Sequence, residues 1–211
     1  MAVLYASVLH LDRKAVKRLR ITDPYSLHRV IYSLFEDIRS VQEKQAAASS
    51  GIVYADQGGD FTGRKVLILS DRLPAAQLEG NLGRLETKEI PSVFLAASRY
   101  RFKTIVNPTY RDSTTRKLVP VKGREAVSGW FCERAEESWG FQVHRESLQV
   151  DRIEVLRFTD KRQRQITMAQ ASLHGLLEVT DRERFTSSFS RGIGRGRAFG
   201  CGLLQIVPDF L

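Results

Sequence analysis

Hydrophobic positions in the first half of the chain change their spacing several times, and each change predicts an element. Residues 2–9 (AVLYASVL) predict a strand, and the polar, basic stretch 12–20 predicts a loop. Asp23 is then a good N-cap and Pro24 suits the first helical position, which predicts a helix to about Ala47. Its apolar stripe is Leu27, Ile31, Leu34, Phe35, Ile38 and Val41. The remaining predictions are strands at 52–55 and 65–70, a short helix at 74–81 and a strand at 88–96.

The second half repeats this order of elements without repeating the sequence. The predictions are a strand at 99–106, a helix at 122–138, extended segments at 141–150 and 152–159, a strand at 165–179, a helix from Asp181 to Phe189 and a strand at 200–207. Two successive βαββαβ units predict an α+β protein of tandem ferredoxin-like (RRM-like) domains, at 1–93 and 98–211. The sheet face of this motif commonly binds RNA.

Charge narrows the range of partners. The 211 residues include 33 Lys and Arg against 24 Asp and Glu, a net charge of +9. Residues 99–124 hold eight of the basic side chains and a single acid, Asp112. This surplus favours a polyanion, with nucleic acid as the first candidate, although a solvated basic face that only maintains solubility would have the same composition.

Several other classes of protein are disfavoured. Cys132 and Cys201 are far apart and outside any CxxC pair, which argues against a disulfide framework or a zinc site. The sequence has no GKS or GKT loop, no HExxH and no paired-acid motif, so we expect no metal and no cofactor. It has no apolar run that could span a bilayer and no leader at Met1, which predicts a cytoplasmic protein without membrane contact.

The first candidate site opens the long helix with DPYSLHR, residues 23–29. Tyr25, His28 and Tyr32 lie at i, i+3 and i+7 and therefore share one edge of the helix. The positive end of the helix dipole disfavours a charged imidazole at His28 and attracts a phosphate. A neutral imidazole there could accept a proton, although a histidine that merely packs between the two tyrosines would have the same spacing.

The second candidate site is the glycine-rich run GIGRGRAFGCGLL, residues 192–204. It follows a helix and leads into the last strand, so it is not a dinucleotide-binding fingerprint. Exposed N–H groups and arginines together suit a phosphate backbone, whereas a flexible loop that only reverses the chain is the alternative. The candidate RNA-binding residues are Arg191, Gly192, Gly194, Arg195, Arg197 and Gly200.

Two other basic segments could contact RNA. Arg99, Arg101 and Lys103 would share one face of their strand. A charged turn between the extended segments predicts a hairpin whose tip holds Arg157, Lys161, Arg162 and Arg164. A basic two-stranded ribbon can lie in a nucleic-acid groove, although such a tip can also be simply solvated.

In their order along the chain, these motifs resemble the CasE-type endoribonuclease, which processes CRISPR repeat transcripts in type I-E systems. DPYSLHR is similar to the start of its catalytic helix, RYRFKTIVNP to the strand that opens its second domain, and RGIGRGRAFGCGLLQIVP to its C-terminal glycine-rich loop and last strand. The resemblance implies tandem ferredoxin-like domains and metal-independent cleavage of a hairpin-forming repeat RNA. It also implies that the product is retained as the guide RNA of Cascade, a multisubunit surveillance complex.

The same resemblance assigns roles to residues. It implies that His28 is the catalytic histidine, that Tyr25 is the catalytic tyrosine, and that the hairpin cations enter the groove of the RNA stem. Some relatives carry a Lys where this chain has Ser33, so Arg29 is the candidate cation facing the scissile phosphate. The alternative is a non-catalytic RNA-binding subunit of the same complex, which would have no need of the Tyr25 and His28 pair. A DNA-binding regulator is disfavoured because the sequence lacks helix-turn-helix and basic-zipper patterns.

Overall fold

The computed structural model describes residues 3–38, 42, 50–160 and 162–210. The elements of the first half are β1 (Tyr5–Asp12), α1 (Arg13–Arg18), α2 (Pro24–Ser33), β2 (Ile52–Gly59), β3 (Gly63–Ser70) and β4 (Arg84–Glu89). Those of the second half are β5 (Arg99–Val106), β6 (Thr109–Arg111), β7 (Leu118–Pro120), α3 (Arg124–Arg134), β8 (Phe141–Val143), β9 (Gln149–Thr159), β10 (Gln165–Val179), α4 (Arg182–Arg191) and β11 (Gln205–Pro208). Short 3₁₀ turns occur at Ser92–Leu95, Arg145–Ser147 and Arg197–Phe199, and a π turn at Ala135–Trp139.

The strands form two main antiparallel sheets. The first has the order β2-β3-β1-β4. The second has the order β11-β5-β10, and both β9 and β8 pair with the other edge of β10. Each order is that of the split βαβ motif, so the predicted α+β class with tandem ferredoxin-like domains is confirmed. The domain limits 1–93 and 98–211 stay a prediction, with the first sheet formed before residue 93 and the second after residue 98.

Two apolar cores hold the sheets together. In the smaller core, Leu27 and Ile31 of α2 pack with Leu9 and other residues of the first sheet. The larger core lies between the second sheet and helices α3 and α4, and it also takes in Val53 and Ala55 of β2. Strand β2 is therefore buried on both faces, which accounts for its uninterrupted apolar start, and the two halves share buried surface.

Helix α2 is shorter than predicted, because it ends at Ser33 instead of continuing to Ala47. The carbonyl oxygen of Leu34, which would extend the helical hydrogen bonds, accepts a bond of 2.7 Å from the Ala75 N–H. The Ser33 hydroxyl also donates to the Val30 carbonyl. As a result Ile38, predicted in the buried stripe, is 66% exposed, whereas the stripe from Leu27 to Phe35 is buried. Val41 and Ala47 lie outside the described residues.

Other predicted elements are also corrected by the structure. The stretch predicted as a loop contains α1, because the Asp12 carboxylate caps it by accepting the Ala15 N–H at 2.6 Å. Residues 74–81, all of them described, form turns with one isolated bridge, and their predicted helix is wrong. The last strand of the first half is earlier than predicted, and a 3₁₀ turn follows Pro91. Strand β11 begins at Gln205 instead of Gly200, since residues 201–204 belong to no strand and follow the 3₁₀ turn Arg197–Phe199.

Candidate functional site

A capping box fixes the start of α2. Asp23 Oδ1 accepts a hydrogen bond from the Ser26 N–H at 2.7 Å, and Ser26 Oγ accepts one from the Asp23 N–H at 3.0 Å. The predicted cap and the position of Pro24 are confirmed, whereas the part played by Ser26 was not predicted. Because the cap sets where the helix begins, it also sets the face on which Tyr25 and His28 lie.

His28 lies half-buried among three aromatic rings. The centroid of its ring is 4.1 Å from that of Tyr32 and 6.1 Å from that of Tyr25, as the shared helix edge predicted. The Tyr32 hydroxyl is itself 2.7 Å from Ser50 Oγ. The third ring is that of Phe199, at 5.8 Å, which comes from the glycine-rich segment of the second half. No local pattern could reveal this contact, because the two residues are far apart in sequence.

A cleft opens beside His28. Arg29 and Ser33 line it from α2, and Arg18 and Arg20 line it from the end of α1. All three guanidinium-bearing side chains are exposed, and together they attract an anion into the cleft. The sequence pointed only to Arg29, because the stretch that holds the other two arginines was predicted as an unstructured loop. The sequence signal that could have revealed these two arginines was the basic composition of this stretch, which lies directly before the N-cap of α2.

A buried carboxylate borders the same cleft from the second half. Asp160 is 8% exposed, and its Oδ2 accepts hydrogen bonds from Arg164 Nε at 2.9 Å and Nη2 at 2.6 Å. Its Oδ1 accepts the N–H groups of Arg162 at 2.8 Å and Arg164 at 3.0 Å. The side-chain hydrogen bond from Arg164 lowers the pKa of Asp160 to about 2. An ionised carboxylate thus holds the turn together, a role that the basic composition of the turn does not reveal.

The predicted basic hairpin exists as a ribbon that extends beyond the second sheet. Strand β9 pairs with β10 from Gln165 onward, whereas β5 pairs with β10 only from Ala171 onward. The candidate RNA-binding side chains of Arg157, Arg162 and Arg164 are exposed on this ribbon, and Lys161 lies outside the described residues. The ribbon therefore presents charge away from the core, at the edge of the His28 cleft.

The three basic residues of β5 do share one face, but they have different surroundings. Asp209, which is 9% exposed, is 3.2 Å from Arg99 Nη2 and 3.4 Å from Arg101 Nε. Lys103 instead lines a second cleft, between the two sheets, together with Arg64 and other residues. Lys103 is thus the member of the set that is directed towards the space between the halves.

The glycine-rich segment is packed between the two halves. The Tyr54 hydroxyl of the first half donates to the Ala198 carbonyl at 2.8 Å, and the Gly202 N–H donates to the Ile105 carbonyl of the second half at 2.7 Å. The Arg197 guanidinium donates to the Arg191 carbonyl at 2.9 Å. The candidate residues Gly192, Gly194 and Arg197 are half-buried and Gly200 is buried, whereas Arg191 and Arg195 are exposed. Within the segment, the two exposed arginines are therefore the side chains most accessible to a ligand.

A sequence profile of CRISPR associated proteins matches residues 4–208, nearly the whole chain. The chain belongs to this family. The prediction of a CRISPR-associated protein is confirmed, and the motifs at both ends of the chain lie within the matched range.

Relatives within the CRISPR associated family are similar in sequence and fold. CRISPR-associated endoribonuclease Cse3 of Thermus thermophilus is 35% identical over 119 residues, which are 52% of this chain and 56% of that protein. The alignment thus spans little more than half the length of this curated relative. A structure of CRISPR endoribonuclease Cse3 bound to 19 nt RNA has a TM-score of 0.80 at 22% identity, covering 98% of this chain and all of the other. A chain of a CRISPR RNA-guided surveillance complex has a TM-score of 0.68 at 17% identity, covering 97% and 100%.

The described part of this CRISPR associated chain holds neither a cluster of metal ligands nor a membrane-spanning helix. No group of three or more His, Cys, Asp or Glu side chains in it is arranged to hold a metal ion. None of the helices in the same ranges is long and apolar enough to cross a membrane.

Proposed function

We propose that this chain is a metal-independent endoribonuclease that cleaves CRISPR repeat stem-loop RNA and retains the product as mature guide RNA. The observation that carries the proposal is the position of His28, half-buried among three rings at a cleft bordered by arginines and by the basic hairpin. A proton-transfer group beside anion-attracting charge is what cleavage of a phosphodiester requires. The similarity to Cse3, an endoribonuclease, supports the same activity.

RNA supplies its own nucleophile in this reaction. The 2′-hydroxyl loses its proton and bonds to phosphorus, the bond from phosphorus to the 5′-oxygen breaks, and the departing oxygen takes up a proton. His28 serves one of these two proton transfers, as base or as acid, and Tyr25 orients the 2′-hydroxyl or shares the proton. The products carry a 2′,3′-cyclic phosphate and a 5′-hydroxyl.

Negative charge accumulates on the phosphorane, and a nearby cation lowers its free energy. Arg29 is our candidate for this role, since Ser33 cannot supply charge. Arg18 and Arg20 line the same cleft and add to its positive potential.

The RNA stem is held by the second half of the chain. We assign stem binding to Arg157, Lys161, Arg162 and Arg164 of the hairpin, and backbone contacts to Lys103, Arg99, Arg101 and the glycine-rich segment, Arg191, Gly192, Gly194, Arg195, Arg197 and Gly200. The similarity to a chain of an RNA-guided surveillance complex supports assembly with Cascade subunits. The expected compartment is the cytoplasm.

The decisive experiment is incubation of the purified chain with the repeat RNA encoded beside its own gene, in the presence of EDTA. We expect cleavage at one position, with a 2′,3′-cyclic phosphate on the upstream product. Tight binding without cleavage, in either EDTA or Mg²⁺, would instead identify a non-catalytic RNA-binding subunit. Cleavage that occurs only with Mg²⁺ would contradict the metal-independent mechanism.

A further inference from the structure

Phe199 lies at the end of the 3₁₀ turn Arg197–Phe199, where the glycine-rich segment meets α2. Its ring is tilted by 54° against the imidazole of His28, with the centroids 5.8 Å apart. Tyr32 and Tyr25 contact the imidazole from the helix that carries it. Phe199 is the ring that approaches from the other half of the chain, so it limits the orientations of His28 that its own helix leaves open.

Hydrogen bonds from both halves hold this turn in place. Tyr54, on β2 and 1% exposed, donates its hydroxyl to the Ala198 carbonyl at 2.8 Å. Burial raises the pKa of Tyr54 well above its usual value, so the hydroxyl keeps the proton that it donates. Gln170, on β10, donates to the Phe199 carbonyl at 3.1 Å. Because one bond comes from each sheet, the turn cannot shift without breaking a contact to one of them.

The Phe199 ring also contacts the base of the basic hairpin. Phe158, 4% exposed near the end of β9, meets it edge to face with centroids 4.8 Å apart. Asp160, which holds the hairpin tip, follows two residues later. A continuous line of ring contacts thus runs from the hairpin through Phe158 and Phe199 to His28.

From this geometry we infer that Phe199 is a positioning residue for His28, and that placing it there is a main task of the glycine-rich segment. The ring holds the imidazole at a fixed orientation relative to the hairpin that binds the stem. Fixed geometry matters because a displacement of about 1 Å at a reacting group can cost roughly 100-fold in rate. The effect on cleavage rests on the proposed function, whereas the contact with His28 does not.

The test compares Phe199→Ala with Phe94→Ala. Phe94 is the matched control, since it is also half-buried in a 3₁₀ turn, Ser92–Leu95, and packs on another ring, Phe189, in the larger core. We expect Phe199→Ala to slow single-turnover cleavage roughly 10- to 100-fold while the Kd for uncleaved repeat RNA changes less than about twofold. Phe199→Tyr keeps the ring and should restore most of the rate. Phe94→Ala should lower Tm without slowing cleavage.

A second readout does not depend on cleavage. The side-chain NMR signals of the four histidines can be resolved in the free protein and assigned by substitution. Because an aromatic ring shifts the resonances of protons beside it, Phe199→Ala should move the His28 ring signals and leave those of His10, His144 and His174 unchanged. Unmoved His28 signals, or a wild-type single-turnover rate in Phe199→Ala, would overturn the inference. If Phe199→Ala moves the His28 signals but the wild-type chain cuts no RNA, only the proposed function is refuted and the contact stands.

Discussion

The His28 cleft and the tip of the β9–β10 hairpin adjoin at Asp160, but they are built in opposite ways. In the cleft, a half-buried imidazole is held by rings from two distant parts of the chain. On the hairpin, exposed guanidinium groups surround one buried carboxylate. Proton transfer needs a fixed geometry, whereas binding of phosphates needs accessible charge and tolerates small displacements. The comparison implies that the rate of cleavage and the affinity for RNA can be changed separately.

The largest separation is expected for His28→Ala. Loss of the proposed proton-transfer group should slow single-turnover cleavage roughly 10²- to 10⁴-fold. The Kd for RNA should change little, because one neutral side chain contributes little beside the basic surface. Rates are measured with end-labelled RNA and affinities by filter binding, and His10→Ala on β1 is the control. Equal losses of rate and affinity would contradict the separation.

A single 2′-deoxy nucleotide at the cut site should stop wild-type cleavage, and cleavage of that substrate would refute the mechanism.

The opposite result is expected on the hairpin. The double variant Arg157→Ala and Arg162→Ala should weaken binding of the stem-loop RNA and reduce the slope of log K against log salt by about 0.7 to 0.9 for each lost phosphate contact. At saturating RNA the cleavage rate should stay near that of the wild type. Removing the same charge from β6 and the turn after it, with Arg111→Ala and Arg116→Ala, is the control. If both double variants reduce the slope equally, the hairpin acts only through net charge.

A change at Gly200 should affect the cleft from a distance. Gly200 has a φ of +82°, and a Cβ there would lie 3.4 Å from the ring of Tyr54, which holds the Phe199 turn. Gly123 has a φ of +87° with no atom within 4 Å of such a Cβ. Valine at either position should cost about 1–3 kcal/mol of stability through backbone strain. Only Gly200→Val should also slow cleavage, roughly 10-fold. Equal rates in the two variants would mean that the loop is only a connector.

The smallest effect concerns the pH dependence of the hairpin tip. The pKa of Asp160 is lowered from 3.8 to about 2 by its bonds to Arg164, so the folded state favours the ionised carboxylate. This contribution to stability is present above about pH 4 and is lost as the pH falls through about 2. The difference in Tm between the wild type and Asp160→Asn should therefore be constant from pH 7 to about 4 and then shrink. A Tm difference that grows on acidification would contradict the conclusion that the ionised Asp160 carboxylate stabilises the folded state.

The sequence predicted best where local patterns decide the structure. The strict alternation of RYRFKTIV predicted β5 with its exact limits, because a strand with one covered face places every second residue in the core. The Asp23 cap and the shared edge of Tyr25 and His28 were predictable for the same reason, since a helix start and its spacing are set within a few residues.

The sequence failed where a distant segment competes with a local preference. The cap and apolar stripe of α2 predicted a helix to about Ala47, yet the Ala75 N–H donates to the Leu34 carbonyl and the helix ends at Ser33. Residues 74–81 had a helical pattern of their own, but part of that segment is used to end α2.

For this protein the sequence alone determined the family resemblance, the fold class and the residue that we propose transfers the proton. Only the tertiary structure decided what surrounds that residue: Phe199 from the glycine-rich segment, Arg18 and Arg20 from the end of α1 and the turn after it, and Asp160 from the hairpin. The physical reason is the range over which each feature acts. Periodicity and capping depend on neighbours within a few positions, whereas a contact across two packed sheets depends on how the whole chain folds.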